Sequence, residues 1–166
     1  MGLDMFLNAR RSFTGYDFQD KDSRENYERV ANVCAFPANI LNKSAPYIYV
    51  EGCVAYWRKV NAIHSWFVKN CANGVDNCQP ISITRNQLQE LLDICKCLME
   101  DKDVEKAMML LPTQSGFFFG DTDYDEWYWE GIASTVEQLT RVLTSIEIAD
   151  KGDKSVYWEF IYCASW

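Results

Sequence analysis

Hydrophobic and polar positions change period several times along the chain, and each change marks an element. Over residues 3–10, Leu3, Met5, Leu7 and Ala9 alternate with Asp4, Phe6, Asn8 and Arg10. Strand side chains point to opposite faces in turn, so this pattern predicts a half-buried strand. It starts so close to residue 1 that no leader is expected ahead of it. A helical stripe of Tyr27, Val30, Ala31 and Cys34 runs from about Ser23, and Pro37 and Pro46 mark the loop after it. Tyr47–Trp57 is aromatic and β-branched and reads as extended, with Gly52 placing a turn or bulge that divides it.

From about Arg58 to Ala72, Val60, Ile63, His64, Phe67, Val68 and Cys71 recur at helical spacing, and Asn73-Gly74 ends the run. Ile81–Ile83 reads as a brief strand. Thr84 and Gln87 have capping-box spacing ahead of a helix carrying Leu88, Leu91, Leu92, Cys95, Leu98 and Met99. A shorter helix around Val104–Leu111 stops near Pro112. Thr122 and Asp125 repeat the capping spacing, predicting a long helix to about Ala149 with Tyr128, Ile132, Val136, Leu139, Leu143 and Ile146 inward. Gly152 sits in the following turn, and Val156, Trp158, Phe160 and Tyr162 alternate in a closing strand. The expected fold is α+β. A mostly antiparallel sheet includes the N- and C-terminal strands, and three to four helices pack on it. At 166 residues and 48% hydrophobic, the chain is expected to form a single compact domain over 1–166.

Charge narrows the partners. The formal net charge is −8, and residues 1–83 carry 9 basic and 8 acidic groups against 7 and 16 in residues 84–166. Duplex nucleic acid and anionic membranes are disfavoured partners, and any anion site should draw its cations from the first half. No run approaches the ~18 apolar residues of a membrane span, and no secretory h-region is present, so a cytoplasmic location is expected. Seven cysteines without a C-x-x-C pair read as reduced, mostly buried small hydrophobes. With one histidine, no metal site and no cofactor are expected.

Phosphate-loop, dinucleotide, zinc-protease and nucleophile-elbow motifs are all missing. Asp121, Asp123 and Asp125 mimic the start of a calcium loop, but Glu126 replaces the required Gly and Ile132 the closing Glu, so a helix N-terminus explains them better. Two clusters carry richer chemistry. Tyr56-Trp57-Arg58-Lys59, Asn61, His64, Trp66 and Phe67 gather rings, cations, an amide and the imidazole at a strand-to-helix junction. Rings stack bases, Arg and Lys pair with phosphate, and a helix N-terminus offers amides to an anion. In the second cluster, Thr113-Gln114-Ser115-Gly116 leads into Phe117-Phe118-Phe119-Gly120 and then Tyr124, Asp125, Trp127, Tyr128 and Trp129. Trp127 falls off the inward stripe and is expected to line a cleft, while Gly131 lets a ligand or neighbouring element approach the backbone.

The start MGLDM, YWRK-x-N-x-IH-x-WF, LLPTQSGFFFG followed by YDEWYW, and the terminal aromatic strand resemble a family of small uncharacterised phage and bacterial proteins. The resemblance covers most of the chain and implies, by class and size, a phage anti-defence protein that sequesters a nucleotide immune signal such as a cyclic ADP-ribose derivative. The expected function is therefore capture of a nucleotide-like ligand in an aromatic pocket. In that reading Trp57, Trp66 and Trp127 stack, and Arg58 and Lys59 pair with phosphate. His64, Gln114 and Ser115 hydrogen-bond ribose or base, and Asn61 supports them. The abundance of aromatics points to a homo-oligomer. Two alternatives stand: a phosphodiesterase using His64 with Asp125 or Asp4, and an acidic protein inhibitor.

Overall fold

The computed structural model describes residues 2–16, 18, 21–37, 39–152 and 157–166. The fold is α+β: among the described residues there is one four-stranded antiparallel sheet that includes the N- and C-terminal strands, and five helices rather than three or four. In chain order the elements are β1 (Asp4–Thr14), α1 (Lys21–Val33), β2 (Tyr47–Arg58), α2 (Asn61–Cys71), β3 (Ile81–Ile83), α3 (Arg85–Asp101), α4 (Val104–Leu110), α5 (Glu126–Gly152) and β4 (Glu159–Ser165). The sheet order is β2-β1-β4-β3, and β3 pairs with β4 in the register Ile81↔Tyr162 and Ile83↔Phe160. Val156, expected in the closing strand, lies outside the described residues.

The chain divides into two compact units, Met1–Ala9 with Cys53–Trp166, and Arg10–Gly52. The larger unit holds a continuous core: Leu3 just ahead of β1, Met5 and Leu7 of β1, Ala55 and Trp57 of β2, Ile63 and Phe67 of α2, Leu88, Leu91 and Leu98 of α3, Ile132 and Leu139 of α5, and Phe160 and Tyr162 of β4. Each of the leucine, isoleucine, methionine and phenylalanine side chains stabilises the fold by roughly 1.5–3 kcal/mol on leaving water. The β1 alternation holds, with Leu3, Met5 and Leu7 fully buried and Asp4, Phe6 and Asn8 half-buried.

Capping decides where the helices begin. Thr84 and Gln87 form the expected capping box on α3, and Asp103 accepts the amides of Glu105 and Lys106 to start α4. The pair Thr122 and Asp125 does not form a box. Asp125 itself accepts the amide of Tyr128 at 3.1 Å, so α5 begins at Glu126. α2 starts three residues later than its apolar spacing suggests, because Lys59 takes a left-handed conformation (φ 57°) and Val60 becomes the cap. Left-handed backbone ends the strand and turns the chain, and it cannot be part of a right-handed helix. β2 runs unbroken through Gly52 instead of dividing there.

In the smaller unit the hydrogen bond from Gly15 N to Pro46 O (2.8 Å) ties the end of β1 to the start of β2, and Arg10 pairs with Glu51 at 2.6 Å. Among its described residues only Pro46 and Ile48 are buried. The α1 stripe is real but shallow: Tyr27, Val30 and Ala31 are half-buried and Cys34 is exposed beyond the helix end. So small a unit lacks the second layer that a full helix face needs. The cysteines depart from expectation in the same way. All seven are free, yet only Cys95 is buried, and burial pushes its thiol up to about 12.

Candidate functional site

The two clusters singled out in the sequence meet. Asn61, 4% exposed at the first turn of α2, accepts the amide of Gln114 at 3.0 Å through Oδ1. Its Nδ2 donates to the carbonyls of Phe119 (3.2 Å) and Asp121 (2.7 Å). One buried amide thus fixes both ends of the loop between α4 and α5. The N-terminal strand locks the same junction, since Leu3 N donates to Phe118 O at 3.0 Å and Leu3 O accepts from Lys59 N at 2.8 Å.

Between the junction and the loop lies a cleft of about 600 Å³, lined by Arg58, Lys59, Val60, Asn61, Ala62, Thr113, Gly120, Asp121, Asp123, Asp125, Trp127 and Tyr128. That volume lies within the ~300–1,000 Å³ typical of small-molecule sites. Gly120 has φ +90°, and a Cβ there would come within 3.2 Å of Lys59 Cβ, so the loop closes on the junction only with glycine in this place. Gly131 plays the equivalent part on α5: a Cβ would meet Val60 Cγ1 at 2.8 Å. The neighbouring element that Gly131 admits is therefore the start of α2.

The walls differ in chemistry. On one side Arg58 and Lys59 stand beside the first turn of α2, where the Val60 cap offers no side-chain acceptor to the helix amides. Beside Arg58, Asp4 accepts the Tyr56 hydroxyl. The bond to Asp4 raises the Tyr56 pKa, and Arg58 opposes it. The opposite side carries Asp121, Asp123 and Asp125. Two are occupied, since Asp121 Oδ1 accepts the amides of Thr122 and Asp123, and Asp125 Oδ1 caps α5. Among the described residues no hydrogen bond engages the Asp123 carboxylate. Trp127, 79% exposed, offers a broad ring at the rim, and Tyr128 is fixed behind it by donating its hydroxyl to Leu111 O.

Other expected contacts lie elsewhere. Trp57 and Trp66 are buried in the core (2% and 5% exposed) and do not line the cleft. The Trp57 indole donates to Thr135 Oγ1 at 3.0 Å, and Thr135 in turn donates to Gly131 O, so its polar edge is satisfied on α5. His64 is 1% exposed, with Nδ1 at 2.7 Å from the Tyr162 hydroxyl and Nε2 at 3.1 Å from Asp76. A neutral ring with its proton on Nε2 serves both partners, accepting from Tyr162 and donating to Asp76. Burial pushes its pKa below the ordinary value, with Asp76 acting in the opposite sense. The rings of Phe119, Tyr162 and Trp166 surround it. Gln114 reaches Asn61 through its backbone, Ser115 is exposed, and neither lines the cleft. Of the three phenylalanines after Gly116 only Phe119 is buried, and Phe117 is 94% exposed.

Gly120, Asp121 and Asp123 also line the cleft, where nothing in their spacing predicts a ligand contact. Their alternation of acids directly after a glycine was the available signal, but it also fits a helix start. Among the described residues no group of three or more metal-ligating side chains forms, and no helix is long and apolar enough to cross a membrane. No protein-family model, curated protein or solved structure matches the chain.

Proposed function

We propose that the chain captures a small nucleotide-like anion in this cleft and holds it without turnover. The observation that carries the reading is the placing of Arg58, Lys59 and the uncapped first turn of α2 along one wall, with the exposed Trp127 ring at the rim of the same hollow. A phosphate fits the cationic wall, where guanidinium, ammonium and helix amides all donate. The Trp127 face suits a base, at roughly 1–3 kcal/mol for stacking. In this reading Asp123, which lines the same cleft, accepts from paired ribose hydroxyls, which turns an acidic residue in an anion site from an objection into a selective contact.

Capture takes precedence over hydrolysis because the one histidine is engaged with Tyr162 and Asp76 and does not line the cleft. Asp125 and Asp4, the carboxylates that would assist it, are likewise tied to Tyr128 N and Tyr56. Sequestration of a nucleotide immune signal by a phage protein in the bacterial cytoplasm, the role implied by the family resemblance, requires no more than such a site. Calorimetry with cyclic ADP-ribose, ADP-ribose and inorganic pyrophosphate as probes tests the reading, followed by chromatography of ligand released on heating. Saturable binding with intact ligand recovered is expected. Altered ligand would instead establish hydrolysis, and the lack of any heat with all three probes would remove the nucleotide reading.

A further inference from the structure

An edge strand exposes a row of backbone donors and acceptors that must meet water or a partner, and β2 is an edge of this sheet. Its two halves are treated differently. Along Val54–Tyr56, α5 covers the backbone: Gln138 Oε1 accepts from Tyr56 N at 2.8 Å, Gln138 Nε2 donates to Tyr56 O at 3.0 Å, and Arg141 donates to Val54 O at 2.8 Å. The Gln138 and Arg141 contacts reach Val54 and Tyr56 and do not extend to Tyr47–Val50. That stretch also lacks the lysines and prolines that blunt natural edges. Instead it exposes Tyr47 (49%), Tyr49 (51%) and Val50 (44%), residue types that favour strand pairing.

Charge says what covers it. Residues 10–52 carry six basic and six acidic groups and are neutral, so the whole formal charge of −8 resides in the remainder of the chain. Two copies repel through most of their surface, and this segment is where they can approach without that penalty. Glu51, the acid beside the stretch, is paired with Arg10. Phe18, Val33, Phe36 and Ile40 of the same unit are exposed as well. An antiparallel strand paired with its own copy is self-complementary about a twofold axis, the commonest symmetry of homo-oligomers.

We propose that the protein is a twofold dimer in which the Tyr47–Val50 edge of one copy pairs antiparallel with the same edge of a second. The dimer does not depend on the ligand reading, and its test uses ligand-free protein. Sedimentation of the full chain between about 5 and 100 µM should show a dimer, and Val50→Lys or Tyr47→Lys should raise its dissociation constant at least about tenfold while far-UV dichroism stays unchanged. Hydrogen exchange on the unaltered chain gives a second reading that no variant can confound: the outward-facing amides of Ile48 and Val50 should exchange more slowly at the higher concentration. A monomer throughout the range, exchange at Ile48 and Val50 independent of concentration, or a dimer indifferent to both folded variants overturns the proposal. The first of these outcomes would leave the edge to a strand of another protein.

Discussion

Asn61 shows how one residue can carry a site without touching its ligand. Its side chain joins Gln114 N, Phe119 O and Asp121 O, three backbone groups that would otherwise lose partners when the loop closes. Leaving buried backbone groups unpaired costs about 1–3 kcal/mol each. Asn61→Ala should therefore lower unfolding free energy by roughly 2–4 kcal/mol in denaturant titrations. Asn61→Asp keeps the acceptor for Gln114 N but sets a buried carboxylate oxygen against two carbonyls, so at neutral pH it should cost at least as much as alanine; equal stability of all three proteins would refute the role. His64 makes the complementary case. Its folded pKa lies below the unfolded value near 6.5 because burial disfavours the charged ring. In the interval between those values the unfolded chain binds a proton that the folded chain does not, so stability is complete above about pH 6.5 and declines as pH falls through that window. Melting temperature should drop from about pH 7.5 to 5.5, and His64→Gln should melt lower at the upper end with a flatter profile. An unchanged slope would assign the dependence to other groups. The chemical vocabulary of the sequence identified Arg58, Lys59 and Trp127 at the cleft, but the same vocabulary covers Trp57, Trp66 and His64, which are core. α2 explains that failure: Asn61 to Val68 are all buried, and a helix covered on every side has no polar stripe to show which residue faces a ligand.

At the level of elements, period was a good guide to type and a poor guide to boundaries. β1, α3 and the inward stripe of α5 follow their spacing because each has one wet and one dry face. Tyr128, Ile132, Leu139 and Ile146 are buried where expected, with Thr135 and Val142 beside them. Starts shifted wherever a backbone special or a single cap decided the matter, as at Lys59 and Asp125. Contact between α5 and the start of α2 rests on Gly131, and this was legible only as a glycine off the main stripe. Gly131→Ala would place Cβ 2.8 Å from Val60 Cγ1, well inside a normal contact. Helix propensity alone would favour alanine by up to about 1 kcal/mol. Overpacking typically costs about 1–3 kcal/mol, so a net loss is expected in thermal melts. Restoration in the double variant Gly131→Ala with Val60→Ala would confirm the cause, and a stabilised single variant would show that α5 does not press on Val60.

Across the whole molecule, the charge balance sets how an anion can reach the cleft. The chain carries −8 in total, and the cleft itself holds two cations against three carboxylates. Its attraction for phosphate is therefore local, confined to the wall formed by Arg58, Lys59 and the first turn of α2, while the far field repels. Far-field repulsion acts over a Debye length, about 30 Å at 0.01 M salt and about 8 Å at 0.15 M, whereas contact pairs inside the cleft are screened much less. Raising salt over that interval should then accelerate association of ADP-ribose in stopped flow, the opposite of the behaviour of a basic nucleotide site, whose association slows with salt. Dissociation should quicken modestly as the contact pairs weaken. Asp123→Asn removes one repelling charge and one acceptor, so it should speed association of both ADP-ribose and pyrophosphate. It should also weaken equilibrium binding of ADP-ribose alone, since pyrophosphate has no hydroxyls for the lost carboxylate to accept. Slower association at higher salt, or equal effects of Asp123→Asn on the two probes, would place anion capture away from this cleft.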